Sequence, residues 1–156
     1  MNRSTIATGV ILLAALVSSL VQIHLVNAYL QGFQVTVFGL FMTLHPVAKL
    51  ILIQIIIFAA PLLILALIRL AQSPSPNTKR GLDIALWVLS GLILFLGLFN
   101  VFFSELATYQ AIQEVGPVSF AITAPNRLEW LFVLSYALWP IAIALGLQQL
   151  AFRRKV

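Results

Sequence analysis

A small set of strongly polar side chains interrupts a chain that is 62% hydrophobic and only 8% charged. Amides, an imidazole, cations and carboxylates placed in this way can hydrogen-bond between helices, or they can line a polar cavity that holds a ligand. A lipid headgroup, the head of a quinone or a side chain of a partner protein has matching chemistry. This candidate ligand or partner cluster comprises Gln22, His24, Lys49, Gln54, Asn100, Glu105, Arg127 and Glu129.

Other kinds of chemistry have weaker support in the sequence. The chain has no cysteine, so it has no disulfide, thiolate metal site or cysteine redox centre. Its two histidines, His24 and His45, lack the spacing of a paired ligand set, and we predict no metal, haem or other cofactor. No nucleophile elbow, zinc-protease motif or clustered carboxylate pair occurs. A catalytic site would have to combine His24, Glu105 and Arg127, and we expect no enzyme activity.

The elements that must position these side chains are four long apolar stretches, at about residues 5–29, 47–70, 82–104 and 128–150. About 20 helical residues suffice to cross a hydrocarbon core of roughly 30 Å. The strands of a membrane barrel need only about 9–11 alternating residues, whereas these stretches are longer and apolar on all sides. The sequence therefore predicts an all-α, polytopic membrane protein with one domain over residues 1–156. Its four transmembrane helices would form an up-down bundle.

The first stretch resembles a secretory signal peptide in part, because Arg3 precedes its apolar region. However, the apolar region is long, and Val26 fits the small-x-small pattern of a cleavage site poorly. We interpret this stretch as a retained membrane anchor.

The basic residues predict how the chain is oriented. One side of the membrane would hold most of them, and the other side only Lys49 and Arg127. Cytoplasmic loops are enriched in Lys and Arg, so both termini and the connection 71–81 are predicted to be cytoplasmic. Compact size and short loops favour a bacterial inner membrane. The net charge of +5 then reflects topology and attraction to anionic lipid, not nucleic-acid binding. The cytoplasmic residues would be Arg3, Arg69, Lys79, Arg80, Arg153, Arg154 and Lys155.

The two connections on the opposite side differ from each other. Residues 31–46 are mostly apolar, and we predict that they form a segment in the outer membrane interface or across the mouth of the bundle. Residues 106–125 contain a Gly116-Pro117 turn and are predicted to form an outer loop. The polar cluster is then concentrated in the outer half of the membrane.

Small residues recur at helical spacing and allow close helix packing, within the bundle or against a partner. Examples are Gly97 with Ser104, and Ala142 with Gly146. We therefore expect a non-catalytic accessory or stabilising subunit of a larger membrane complex. Its partners would be membrane lipids and another membrane protein or a second copy of the chain. The alternative is a small carrier, or a lipid- or quinone-binding protein, that uses the outer polar cluster.

Overall fold

The computed structural model describes residues 3–29, 39, 41–42, 44–71, 76–116 and 120–153. Four long helices account for nearly all of these residues. They are α1 (Arg3–Tyr29), α2 (Pro46–Ala71), α3 (Pro76–Val115) and α4 (Phe120–Arg153). Each helix contains a stretch that is long and apolar enough to cross a membrane. The prediction of an all-helical chain with four helices that could span a membrane is confirmed.

Helix α3 is longer than the predicted span 82–104. It begins at Pro76 and contains 40 residues. Proline suits the first turn of a helix because the N–H that it lacks has no partner inside the helix there. No glycine or proline follows Gly97 until Gly116, so nothing in the local sequence ends the helix at the predicted position. Gly116 has a φ of +87° and donates its N–H to the carbonyl of Ile112 at 2.9 Å, which ends the helix.

The predicted outer loop 106–125 is consequently wrong over most of its length. Its first part continues α3, and α4 begins at Phe120 instead of Leu128. Pro125 lies in the second turn of α4, where it removes a single helical hydrogen bond. One lost bond near a helix end does not outweigh the helical tendency of the apolar residues around it. The helices therefore extend past the predicted membrane boundary on this side.

The predicted interfacial segment 31–46 lies largely outside the described residues, which include only 39, 41–42 and 44–46 of it. Leu44 is buried in the main core, and Phe41 packs against the same core. Met42 is exposed.

Helix α4 is the centre of the bundle. It packs against each of the other three helices, and α2 also packs against α3, whereas α1 packs chiefly against α4. In the most apolar part of each helix, 56% of the residues of α4 are buried, compared with 28% in α2 and in α3 and 11% in α1. The arrangement is therefore one inner helix with three helices around it, and α1 has the largest surface facing outward.

Polar contacts show which helix ends meet. Thr5 donates a hydrogen bond to Gln149 at 3.2 Å, so the start of α1 lies beside the end of α4. Arg69 and Asp83 join the end of α2 to the start of α3 at the same end of the bundle, which we call the Asp83 end. The opposite end, where Glu129 lies near the start of α2, is called the Glu129 end.

Close packing of α3 on α4 depends on Gly97. A Cβ atom at this position would lie 2.8 Å from the Cβ of Ala137, closer than real Cβ atoms approach each other. Absence of a side chain lets the two backbones come together, so that dispersion contacts can form along the interface. The main core that surrounds this contact includes Leu52, Ile55, Leu62, Leu86, Ile93, Val133, Ile141 and Leu145.

Candidate functional site

A cavity of about 330 Å³ lies at the Glu129 end, where α2, α3 and α4 meet. We call it the Asn100 cavity. Small side chains leave the space, while polar side chains and one aromatic ring line it. Its walls are formed by His45 and Ala48 at the start of α2, by Asn100, Phe103, Ser104 and Ala107 of α3, and by Asn126 and Glu129 of α4.

Asn100 is the most unusual residue of this cavity. Its side chain is 0% exposed, and neither the amide nitrogen Nδ2 nor the oxygen Oδ1 has a hydrogen-bond partner within the part of the chain that the structure describes. A buried polar group without a partner costs about 1–3 kcal/mol, and most such groups in native proteins are paired. Counting from Ala107, which lines the same cavity, Asn100 lies about 10 Å deeper along α3. The cavity therefore leads towards a buried donor and a buried acceptor that no described residue satisfies.

His45 and Glu129 hold the start of α2 against α4 in the wall of this cavity. The backbone N–H of His45 donates to Oε1 of Glu129 at 3.0 Å. The ring nitrogen Nδ1 of His45 accepts the N–H of Val47 at 3.3 Å, as a capping side chain does at a helix start. Because Nδ1 is the acceptor, the proton of the neutral ring is on Nε2, which can donate. The ring of Phe103 packs 6.4 Å from the imidazole, centre to centre.

The wall between α3 and α4 is stabilised by hydrogen bonds around Asn126. Its Nδ2 donates to the backbone carbonyl of Ser104 at 3.1 Å and also to the hydroxyl of Thr108. The Thr108 hydroxyl donates to the same carbonyl at 2.9 Å. A neighbouring cavity of about 320 Å³ shares Ala107 and Asn126 with the Asn100 cavity and extends between α3 and α4 to Val115. The two cavities therefore lie next to each other along the contact between α3 and α4.

Two members of the predicted cluster, Glu105 and Arg127, interact with each other outside the Asn100 cavity. Oε1 of Glu105 accepts the indole N–H of Trp130 at 2.7 Å and lies 4.0 Å from Nε of Arg127. Both charged side chains are about two-fifths exposed, so this ion pair contributes little to stability, on the order of 0–1 kcal/mol. The pair joins α3 to α4 beside the cavity.

The remaining predicted residues are spread over the bundle. Lys49 donates to the backbone carbonyl of Met42 at 2.8 Å and so holds the chain that precedes α2. Gln22 accepts a hydrogen bond from Ser135 at 3.5 Å in a separate groove of about 410 Å³ on α4. His24 and Gln54 are exposed and line none of the described cavities. Of the eight residues, Asn100 and Glu129 are the two that line the same described cavity.

A polar network at the opposite, Asp83 end was not anticipated. Arg69 is 3% exposed and donates from Nε and Nη2 to the two carboxylate oxygens of Asp83, at 3.1 and 3.4 Å. Gln148 donates to the same carboxylate at 2.9 Å. In the sequence, Arg69 was one of the basic residues that predicted the orientation of the chain in the membrane. Its pairing with Asp83 was indicated only by the short connection that separates them.

Sequence reasoning also missed the cavity residues His45, Ser104 and Asn126. The sequence suggested His45 as a metal ligand, and Ser104 as a small packing residue or as part of a weakly supported catalytic set with Glu105 and His24. A useful signal was present nonetheless, because Asn100 and Ser104 are four residues apart and so share a face of α3. The contribution of α2 and α4 to that face depends on how the helices pack.

Comparison with known proteins found no matching family model, no similar curated protein and no similar solved structure.

Proposed function

We propose that this protein is a non-catalytic membrane protein that binds the polar head of a lipid-soluble molecule in the Asn100 cavity. The observation that supports this proposal is the Asn100 amide, which is fully buried and has no hydrogen-bond partner among the described residues. A ligand that accepts from Nδ2 and donates to Oδ1 would recover the cost of burying both groups. The same amide is hard to explain as a packing residue, because an apolar side chain would fill its place at lower cost.

The chemistry of the walls limits the class of ligand. Among the described residues, Glu129 is the one carboxylate that lines the cavity and no Lys or Arg lines it, so an anionic head would be repelled. Asn100 and Nε2 of His45 offer donors, Phe103 offers an apolar ring surface, and the cavity volume of about 330 Å³ suits one ring or one small headgroup. A neutral or zwitterionic head with both a donor and an acceptor fits best, such as a quinol ring or the headgroup of phosphatidylethanolamine.

The test is a ligand-dependent thermal shift of the purified, delipidated protein. The probes are a short-chain ubiquinol and a short-chain phosphatidylethanolamine, used separately. A ligand at about 100 times its Kd stabilises the folded state by about 2.7 kcal/mol. We expect one probe to raise the Tm of the native chain and to have no effect on Asn100→Leu. If neither probe raises the Tm, or if both proteins respond equally, the cavity is not the binding site.

A matched control is available on the same helix. Ser90 is also buried, and its hydroxyl likewise has no partner among the described residues, yet it lines none of the described cavities. Ser90→Ala removes a comparable group about 15 Å from Asn100 along α3. This variant should keep the full response to the probe.

We further propose that the helices are inserted with alternating direction into a bacterial inner membrane, with both termini in the cytoplasm. The uneven distribution of Lys and Arg supports this orientation. Because the chain has no cysteine, single cysteines can report it directly. In intact cells, a membrane-impermeant maleimide should label Glu114→Cys and leave Ser75→Cys unlabelled. The reverse pattern would invert the proposed topology.

The second candidate function is an accessory subunit of a larger membrane complex. It is favoured by the wide outward surface of α1 and by a ladder of exposed, stacked rings on α3, formed by Phe95, Phe99 and Phe103. Native mass spectrometry after gentle extraction from the native host distinguishes the two functions. A stoichiometric complex with another membrane protein supports the subunit. A monomer or dimer that retains a small molecule supports the binding protein.

A further inference from the structure

Another cavity, of about 510 Å³, lies at the Asp83 end, opposite the end that holds the Asn100 cavity. We call it the basic cavity. Charged side chains from the end of α2 and the start of α3 line one part of it, and apolar side chains of α3 line the rest. The lining residues are Arg69, Lys79, Arg80, Asp83, Ile84, Trp87 and Val88.

The charges of this cavity do not balance. Arg69 and Asp83 form a two-bond ion pair, so their charges largely compensate each other. Lys79 and Arg80 have no acidic side chain within salt-bridge distance in the described part of the chain. Two cations therefore face this space without a counter-charge from the protein. An anion is the complementary ligand.

The order of side chains along α3 indicates what kind of anion would fit. One face of α3 carries a cation followed by three apolar side chains at helical spacing. These residues are Arg80, Ile84, Trp87 and Val88. All four are exposed. The face thus changes from cation to apolar and aromatic surface over about 12 Å. A membrane lipid has the same order, with a phosphate at the surface, a glycerol backbone below it and acyl chains beneath.

We propose that the basic cavity binds the phosphate headgroup of an anionic membrane lipid, with Lys79 and Arg80 contacting the phosphate and the acyl chains lying along Ile84, Trp87 and Val88. Arg69 would be held in place by Asp83 behind the phosphate. A free phosphate ion would use the cations alone and would gain nothing from the apolar surface. This site is independent of the Asn100 cavity, since the two share no lining residue.

The experiment is native mass spectrometry of the full chain in detergent, titrated with phosphatidylglycerol or with phosphatidylcholine of the same acyl length. Near a membrane surface, each basic residue favours an anionic lipid by roughly fivefold. We expect the native chain to prefer phosphatidylglycerol by about that factor for each of the two cations. The double variant Lys79→Gln, Arg80→Gln should lose this preference.

A control variant removes the same charge elsewhere on the predicted cytoplasmic side. Arg154→Gln, Lys155→Gln has the same net charge as the test variant and should keep the preference for phosphatidylglycerol. The proposal is overturned if the native chain shows no preference, or if both double variants lose it equally, which would indicate general surface charge. Excess inorganic phosphate should leave phosphatidylglycerol bound. Its displacement would identify free phosphate as the ligand and would also overturn the proposal.

Discussion

Replacement of Asn100 by leucine should make the ligand-free protein more stable while abolishing ligand binding. Most substitutions of buried residues destabilise a protein, so a gain would be informative. The expectation follows from the position of the amide, which is fully buried and has no partner among the described residues. Leucine has no polar atom to leave unpaired, and the adjacent cavity of about 330 Å³ has room for its larger side chain.

The expected size of the gain can be worked from the two polar atoms. Each buried group without a partner costs about 1–3 kcal/mol. Water that enters the cavity from the Glu129 end recovers part of this cost, because a polar cavity of this size can hold it. We therefore expect Asn100→Leu to raise the free energy of unfolding by about 1–3 kcal/mol. For a chain of this length, each kcal/mol corresponds to roughly 2–4 °C in Tm.

The assay is thermal unfolding in detergent after removal of lipid, followed by tryptophan fluorescence, with and without the short-chain probes. Asn100→Leu should unfold at a higher temperature than the native chain without a probe and should show no shift with one. The native chain should unfold at a lower temperature without a probe, and its Tm should rise when the bound probe is present. Ser90→Ala should gain a smaller amount of stability, about 1 kcal/mol for one hydroxyl, and should still respond to the probe.

One result would refute the reasoning about Asn100. If Asn100→Leu is less stable than the native chain without any ligand, while Ser90→Ala is not, the amide is making a favourable interaction inside the folded protein. Asn100 would then be a packing residue, whose interhelical hydrogen bond is worth about 0.6 kcal/mol on average, and the cavity would lose its main support as a binding site.

Two further predictions concern the packing of the bundle. Gly97→Ala should lower the free energy of unfolding by about 1–3 kcal/mol, because its Cβ would lie 2.8 Å from that of Ala137. Gly91→Ala is the control: its Cβ would have no atom within 4 Å, so this variant should be neutral or stabilising. Equal stability of the two variants would contradict the close contact between Gly97 and Ala137. Arg69→Met should cost about 3 kcal/mol, since it leaves the Asp83 carboxylate without its cation. Adding Asp83→Leu should recover much of that loss in denaturant unfolding, and a double variant no more stable than Arg69→Met would argue against the pair.

The C-terminal end of α3 shows why the bounds of a helix are harder to predict than its existence. The apolar span was recognisable because charged residues are nearly absent from it, but the helix continues into the polar sequence up to Val115. The signal that ends it is Gly116 with its positive φ, and this residue lies twelve residues beyond the end of the apolar stretch 82–104. Hydropathy indicates where a helix is in lipid, whereas its actual end is determined by local backbone chemistry.

The site shows a different limit. Gln54 and Asn100 are both amides within apolar spans, and counting residues places them at a similar depth. In the structure Gln54 is exposed on the outside of α2, whereas Asn100 is fully buried beside a cavity. Nothing in the local sequence distinguishes the two, because both spans are apolar on every side and have no polar face to mark the outside.

The sequence by itself determined that the chain is helical and that four of its helices are long and apolar enough to cross a membrane, for a simple physical reason. In lipid, every backbone N–H and C=O must be bonded within the chain, and long apolar stretches can satisfy this requirement only as helices. Only the tertiary structure decided that α4 is central, that Arg69 pairs with Asp83, and that Asn100 faces a cavity. These features depend on shape, since lipid is as apolar as the helix surfaces and close contacts such as Gly97 on Ala137 select which faces meet.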